Sequence, residues 1–153
     1  YQLHASPNHP KSRGEITLNS SDPYDYPKIL FNYLKEEEDL KQTRECIHVA
    51  RKILSQPALS EHAGEEVGPG FNAQSDDELN EYIRSKADTA YHPCGTCKMG
   101  VDDMAVVDQD LKVNGIGNLR VIDASVIPEI PSANLNAPTL MIAEKGSEAI
   151  LNN

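Results

Sequence analysis

The sequence predicts an α+β fold, and three observations carry that prediction. Residues 14–18 alternate between polar and apolar side chains in the manner of a short strand. Residues 36–55 and 75–86 place apolar side chains at helical spacing. Residues 106–125 contain short strand-like segments, and residues 136–151 follow them as a further helix. Strands and helices therefore share a chain of 153 residues, a length that usually forms one domain.

The composition of the chain excludes several classes of function. Asp and Glu number 24 against 14 Lys and Arg, for a net charge of −10, and such a chain lacks the basic surface that a nucleic-acid backbone requires. No apolar run approaches the roughly 20 residues that span a bilayer, and residues 1–10 lack the pattern of a signal peptide. We therefore expect no nucleic-acid partner and no membrane span.

The predicted helix at 36–55 has charges that match its dipole. Residues 36–39 are all acidic, and Arg51 and Lys52 lie near the other end. Acidic side chains stabilise the start of a helix and basic side chains stabilise its end, because the backbone dipoles of the helix add up. Pro57 follows closely and is expected to prevent the helix from continuing.

A second, shorter helix is predicted at 75–86, after a connector around residues 64–70. Ser75 and Glu78 have the spacing of a capping box, in which each side chain accepts a hydrogen bond from the backbone of the other residue. Leu79 begins the apolar face that this helix would bury.

The last third of the chain is predicted to contain short strands followed by a helix. The strands are expected at residues 106–107, 111–113 and 118–125, the last of them buried. The helix is expected at 136–151, with Asn136 as its N-cap and Pro138 in its first turn.

The densest group of reactive side chains is His92-Pro93-Cys94-Gly95-Thr96-Cys97. One interpretation is a zinc site, because the Pro-Cys-x-x-Cys spacing matches half of a zinc deaminase signature, although the other half is missing. A second is a redox dithiol, but the residues that follow resemble a strand rather than the helix such a motif begins. The interpretation we favour for the two thiols is that they are small packed side chains. Three cysteines in all form an odd number, which favours a reducing compartment over a disulfide scaffold.

His92 is the stronger candidate for chemistry, because Pro93 and the nearby Gly95 restrict the backbone that carries it. The segment Pro131–Thr139 contains two amides, Asn134 and Asn136, just before the last helix. Both could be helix caps. The functional alternative is that one amide points into a site while the first N–H groups of the helix face an anionic or carbonyl group of a ligand.

Several segments together resemble the C-terminal region of the glucose-methanol-choline (GMC) flavoprotein oxidoreductases. They stand in the order and spacing of that family at residues 91–100, 106–108, 117–125 and 134–145. Residues 11–18 and 29–34 also resemble it, so the similarity covers nearly the whole chain. The sequence is therefore identified as a member of this family.

This resemblance implies an antiparallel sheet with flanking helices, followed by a strand-helix return segment. Residues 1–100 would be a portion of the substrate domain, and residues 101–153 would return to the FAD-binding domain. The family's Gly-rich dinucleotide fingerprint is not present in this sequence and is expected several hundred residues upstream. The chain is thus expected to be one end of a longer polypeptide, inactive by itself and without bound FAD, and its exposed apolar surface would favour disorder, repacking or a fragment dimer.

The resemblance also implies the roles of individual residues. His92 would be the catalytic base, since imidazole exchanges protons near neutral pH, and Asn136 would donate its amide N–H to the substrate oxygen. The residues expected to lie against the cofactor FAD are Asp123, Ala124, Asn136, Ala137, Pro138 and Thr139. No role follows for Cys94 or Cys97.

Within the family, the segments 29–33 and 91–100 most resemble the members that oxidise choline. The expected reaction is oxidation of choline to betaine aldehyde, and onward to glycine betaine. Choline is a quaternary cation, and aromatic faces usually hold such groups. Because the chain is poor in aromatic residues, most of that cage is expected in the missing N-terminal portion.

We expect the chain in the cytoplasm, within a parent protein that can associate peripherally with the inner face of the cell membrane. The alternative to all of this is an autonomous zinc-binding domain that uses His92, Cys94 and Cys97.

Overall fold

A computed structural model describes residues 1–152 of the chain. Its regular elements are strands β1 (Glu15–Thr17) and β2 (Lys28–Leu30) and helices α1 (Glu37–Leu54), α2 (Asp76–Lys86) and α3 (Asn136–Leu151). Two 3₁₀ turns, Pro57–His62 and Ala124–Val126, complete them. The α+β class predicted from the sequence is confirmed. None of the helices within residues 1–152 combines the length and apolar character needed to cross a bilayer.

The chain divides into two compact units. The first is Tyr1–Asp88, and the second begins at Thr89. The His92 motif and the segments around Asp123 and Asn136 all fall in the second unit. The assignment of residues 1–100 and 101–153 to substrate-binding and flavin-binding portions stays a prediction.

The first unit opens with a short antiparallel hairpin. β1 lies within the segment predicted to be a strand, and Ile16 pairs with Ile29 of β2. The sequence pattern does not reveal β2, because three residues after a proline are too short for a recognisable alternation. Every residue of both strands is exposed, so the hairpin presents large apolar side chains to its surroundings. Phe31 and Tyr33, just beyond β2, stack with ring centroids 5.0 Å apart.

Helices α1 and α2 pack against each other and form the core of the first unit. Both were predicted within two residues of their observed ends, and the capping box of Ser75 and Glu78 is present. Leu40 of α1 and Leu79 of α2 are buried. The Arg44 guanidinium also joins the helices, because it donates to Asn80 Oδ1 at 2.6 Å.

Asp39, in the first turn of α1, holds the N-terminal segment of the chain. Asp39 is 2% exposed, and its carboxylate accepts hydrogen bonds from the backbone N–H groups of Lys11 and Ser12, each at 2.7 Å. Burial by itself would raise the pKa of Asp39, but hydrogen bonds from the Ser12 hydroxyl and the two amides outweigh it and lower the pKa. The sequence indicated only that an acidic residue suits the start of a helix. The structure adds a long-range anchor.

The core of the second unit is a cluster of aliphatic side chains, and residues 89–152 form no regular sheet around it. Its buried members are Val107, Leu111, Val126, Ile127, Leu135 and Ile142. The strands predicted at 106–107 and 111–113 appear as single bridges, in which Val107 pairs with Met99 and Val113. A bridge has one pair of partner residues and lacks the continued ladder of a strand.

The prediction of a buried strand at 118–125 is wrong. Asn118 has a left-handed backbone with φ of 59°, only Arg120 forms a bridge, to Lys112, and the segment ends in the 3₁₀ turn at Ala124–Val126. The Asp123 carboxylate accepts a hydrogen bond from the Ser125 N–H at 2.8 Å, which stabilises that turn. A local cap therefore replaces strand pairing at this point.

Helix α3 was predicted over the correct range, but its cap was misassigned. Leu135 occupies the N-cap position, and Asn136 is the first residue of the helix. The side chain of Leu135 has no hydrogen-bond acceptor, so no side chain caps the start of α3. Asn136 lies inside the helix and therefore does not act as its cap. Leu135 is instead buried in the core of the second unit, which fixes the helix start by packing.

Gly146 of α3 allows the helix to approach Ile122. A Cβ built on Gly146 would lie 2.4 Å from Ile122 Cγ2, far inside contact distance. We expect Gly146→Ala to destabilise the second unit by about 1–3 kcal/mol, because the added methyl group would force α3 away from the segment that carries Ile122. Gly117→Ala is the matched control, since nothing lies within 4 Å of a Cβ at that position. Chemical unfolding of the two variants measures the difference, and equal stabilities would contradict the close packing.

Candidate functional site

The loop that carries His92 is held against the 3₁₀ turn at Ala124–Val126. The Cys97 N–H donates to the Ser125 carbonyl at 2.9 Å, and the Met99 N–H donates to the Val126 carbonyl at 2.8 Å. His92 lies five residues before Cys97 and is half-buried. These two hydrogen bonds fix the C-terminal end of the loop to the segment that contains Asp123.

Gly95 permits the loop to bend between His92 and this anchored end. Its φ is +86°, and a Cβ there would lie 3.3 Å from the Ile127 carbonyl oxygen. A side chain at this position would meet both strain and crowding. Tyr91, immediately before His92, also has a left-handed backbone, with φ of 60°, which is rare for an aromatic residue. Unusual backbone therefore flanks His92 on both sides.

Asp123 uses one carboxylate oxygen within the protein. Oδ1 accepts from the backbone N–H of Ser125 at 2.8 Å and from its hydroxyl. The residue is otherwise exposed. The 3₁₀ turn that follows Asp123 contacts α3, so the structure places the two segments expected at the cofactor, 123–124 and 136–139, on neighbouring elements.

The first turn of α3 presents backbone N–H groups without an acceptor in the helix. The first intrahelical bond is from the Thr139 N–H to the Leu135 carbonyl, at 2.9 Å, and the Thr139 hydroxyl donates to that same carbonyl at 2.7 Å. Pro138 has no N–H. The N–H groups available to a ligand in this turn are therefore those of Asn136 and Ala137, both of which are exposed.

A shallow apolar cavity of about 200 Å³ borders this helix start. Val126, Ile127 and Pro138 are among its lining residues, together with Met99 and Met141. A second cavity of about 430 Å³ lies further along α3, where Lys145 and Glu148 form an ion pair at 2.8 Å. Neither cavity is lined by His92 or Asn136. The structure places both residues in the second unit.

The structure does not support a zinc site formed by His92, Cys94 and Cys97. Within residues 1–152, no three side chains among His, Cys, Asp and Glu come together in a way that could hold a metal ion. Cys94 packs against the core cluster of the second unit, together with aliphatic side chains. For Cys94, this contact agrees with the interpretation of the thiols as packed side chains.

Two contributions to this site were not apparent from the sequence. The carbonyl groups of Ser125 and Val126 hold the His92 loop, and backbone acceptors leave no signal in residue identity. Leu135 positions the start of α3 by burial, whereas the pattern of amides had suggested a cap at Asn136.

Comparison with known proteins gives consistent matches along the chain. The family model of the GMC oxidoreductases matches residues 10–143. The chain is 50% identical to an oxygen-dependent choline dehydrogenase of Vibrio vulnificus over 153 residues, which are 99% of this chain and 27% of the relative. It is also 50% identical to the enzyme of that name from Klebsiella pneumoniae subsp. pneumoniae, with 98% and 27% covered. The chain thus spans about a quarter of the length of the curated relatives it matches.

Solved structures agree with this assignment. Pyridoxine 4-oxidase from Mesorbium loti superposes with a TM-score of 0.87 and 31% identity, over 95% of this chain and 28% of that one. A fungal aryl-alcohol oxidase gives 0.86 and 35%, over 95% and 24%. A formate oxidase from Aspergillus oryzae, studied for FAD modification, gives 0.84 and 34%, over 90% and 24%. With the family model matching most of its length, and flavin oxidoreductases among its structural relatives, the chain belongs to the GMC oxidoreductases.

Proposed function

We propose that this chain is the C-terminal portion of an FAD-dependent choline dehydrogenase. The observation that carries the proposal is 50% identity to curated choline dehydrogenases over 99% of the chain. The apolar surface of α3 supports a place within a larger protein, since Leu140, Met141 and Leu151 are each more than half exposed. A helix that is apolar on several faces is usually covered by other parts of a protein. The remaining three quarters of the relatives' length would supply that cover.

His92 is the base in this proposal. Removal of the hydroxyl proton from an alcohol makes loss of the α-hydrogen as hydride far easier, because the alkoxide can push out the electron pair. Imidazole suits this task because it accepts and returns protons near neutral pH. The bend at Gly95 and the two loop hydrogen bonds to Ser125 and Val126 support His92 by holding its loop in one conformation.

The exposed first turn of α3 is a suitable place for the cofactor. The Asn136 and Ala137 N–H groups lack helical acceptors and so can donate to a carbonyl or anionic edge, and the positive end of the helix dipole favours electron density there. The residues present therefore fit FAD. When bound, FAD would accept the hydride and pass the electrons to an acceptor. The relatives are named oxygen-dependent, so we propose oxygen as that acceptor and hydrogen peroxide as its product.

Asn136 would orient the substrate oxygen beside His92. Its side-chain NH₂ is free of a capping role, because Leu135 holds the cap position, and a neutral amide donates a hydrogen bond without competing for the proton. We expect Asn136→Ala in the full-length enzyme to lower kcat about tenfold, the value of one ordinary hydrogen bond. Asn134→Ala is the matched control. Steady-state kinetics of both variants test this, and an unchanged kcat for Asn136→Ala would remove Asn136 from the site.

The proposed substrate is tested with the full-length protein and a panel of primary alcohols. We expect choline to be oxidised to betaine aldehyde, and the aldehyde to glycine betaine, with the highest kcat/KM of the panel. Turnover of another alcohol without turnover of choline would overturn choline as the substrate. The protein would then still be an alcohol-oxidising member of the family. The three cysteines of the chain are free thiols. Free thiols are usual in a reducing compartment, and we propose that the protein acts in the cytoplasm.

A further inference from the structure

The turn at residues 113–116 carries the one Asn-Gly pair of the sequence, Asn114 and Gly115. The Ile116 N–H donates to the Val113 carbonyl at 3.3 Å, which places Asn114 and Gly115 at the two central positions of the turn. Gly115 has a left-handed backbone with φ of +79°, and nothing lies within 4 Å of a Cβ built on it. Both residues are exposed. The pair is therefore open to solvent in the second unit.

The backbone nitrogen of Gly115 is not engaged by the fold. Within residues 1–152, its N–H donates to no acceptor. A glycine also has no side chain that could shield this nitrogen. The nearest electrophile is the side-chain carbonyl carbon of Asn114, the preceding residue, and a bond between the two atoms closes a succinimide ring. The two reacting groups are thus neighbours along the chain and need no distant partner.

The side chain of Asn114 is held by a hydrogen bond that is exposed to solvent. Nδ2 donates to the Ala105 carbonyl at 2.9 Å. The backbone N–H of Asn114 donates to the Val106 carbonyl, also at 2.9 Å. An exposed hydrogen bond between neutral groups is a weak restraint, because water replaces the partner when the bond opens. The fold therefore does not lock the Asn114 side chain away from the Gly115 nitrogen.

From this geometry we propose that Asn114 is a site of deamidation in the folded protein. The Gly115 nitrogen attacks Asn114 Cγ, the new N–C bond forms, and the bond from Cγ to Nδ2 breaks. Nδ2 leaves as ammonia, with the proton that Gly115 has given up. Water then opens the succinimide at either of its carbonyl carbons and yields aspartate or isoaspartate at position 114. One water is consumed and one ammonia is released, and no oxidant or reductant takes part.

Deamidation breaks the contact between this turn and residues 105–106. The new carboxylate has no N–H to donate, and it would present an acceptor to the Ala105 carbonyl oxygen, which is itself an acceptor. In isoaspartate the main chain also passes through the former side chain, which shifts the N–H at position 114 relative to Val106. Val107, next to Val106, is buried in the core of the second unit and pairs with Val113. We therefore expect the modification to loosen the packing of this unit.

The test incubates the full-length protein in neutral and in mildly alkaline buffer and follows position 114 by tryptic mapping. Trypsin cleaves after Lys112 and Arg120, so one peptide contains both Asn114 and Asn118. We expect this peptide to gain the mass difference between OH and NH₂, faster at higher pH, because the attack requires loss of the Gly115 proton. Electron-transfer fragmentation locates the change and distinguishes isoaspartate from aspartate. Asn118, an exposed residue followed by Leu119, is the internal comparison and should remain an amide.

Three variants complete the test. Asn114→Gln should stop the mass change, because its longer side chain would have to close a larger and slower-forming ring. Asn118→Gln is the matched control and should deamidate at position 114 as the unsubstituted protein does. Asn114→Asp reproduces one product directly, and its backbone amide at position 114 should exchange hydrogen roughly tenfold faster than in the unsubstituted protein.

Each outcome supports or overturns a stated part of the proposal. An amide at position 114 that persists in the folded protein would overturn the modification site, and deamidation of a synthetic peptide 113–120 in the same buffer would then assign the protection to the fold. An equal mass gain at Asn118 would overturn the assignment to the Asn-Gly turn. Unchanged hydrogen exchange at position 114 in Asn114→Asp would overturn the structural consequence. None of these outcomes depends on which alcohol the enzyme oxidises.

Discussion

Replacement of His92 by alanine in the full-length flavoprotein is expected to lower turnover of choline by about 10²-fold or more, with FAD still bound. The proton of the substrate hydroxyl would then have no positioned acceptor. The residues expected at the cofactor lie on other segments, at 123–124 and 136–139, so the substitution should spare cofactor binding. Steady-state kinetics give kcat, and the flavin absorbance of the purified variant gives cofactor content.

His48→Ala is the matched control for this experiment. His48 is an exposed residue of α1, in the first unit of the chain. Its replacement should leave turnover unchanged and so rule out a general effect of removing a histidine. A His92→Ala enzyme that keeps its full turnover would show that another group is the base. Loss of FAD from His92→Ala would instead assign His92 a role in holding the cofactor.

Replacement of Asp39 by alanine is expected to release the N-terminal segment from α1. The backbone N–H groups of Lys11 and Ser12 would lose their acceptor, and a hydrogen bond to a charged group contributes about 1.5–3 kcal/mol. We expect a net loss of about 3 kcal/mol, which corresponds to roughly 10²-fold faster hydrogen exchange of these two amides. Exchange measured by mass spectrometry or NMR in the full-length protein gives the local effect directly.

Asp77→Ala is the control for this second experiment. Asp77 is an exposed acidic residue in the first turn of α2, and its replacement should leave the exchange of Lys11 and Ser12 unchanged. If these amides also keep their protection in Asp39→Ala, the carboxylate does not anchor the segment.

The Asp39 anchor should also respond to acid. The pKa of Asp39 is lowered in the folded protein, so its contribution to stability is complete above the pKa of the unfolded chain, at about 4. As the pH falls through the lower folded value, the carboxylate takes up a proton and this contribution is lost. Protection of Lys11 and Ser12 should therefore decrease below about pH 4, and the decrease should be absent in Asp39→Ala.

Features that depend on neighbouring residues could be predicted from the sequence. The capping box of Ser75 and Glu78 joins residues three apart, and the charges of α1 act within its own first and last turns. The segments that resemble the GMC oxidoreductases are likewise contiguous runs, which is why they identified the family. The order of these runs also indicated His92 and Asn136 as candidates, and their roles stay predictions.

Features that depend on distant residues could not be predicted. The Asp39 carboxylate accepts a hydrogen bond from the N–H of Lys11, 28 positions away. Gly146 lies so close to Ile122 that a Cβ at this position would overlap the Ile122 side chain. In place of the predicted strand at 118–125, the structure has a single bridge and a 3₁₀ turn. An apolar run in the sequence does not show whether a partner strand lies beside it. Asn136 is not the cap of α3: Leu135, which is buried in the core of the second unit, occupies that position. The sequence by itself determined the family, the helices and the chemical character of the His92 loop. Only the tertiary structure decided what the loop is held against, since backbone carbonyl groups are the same in every residue and packing alone selects which of them become partners.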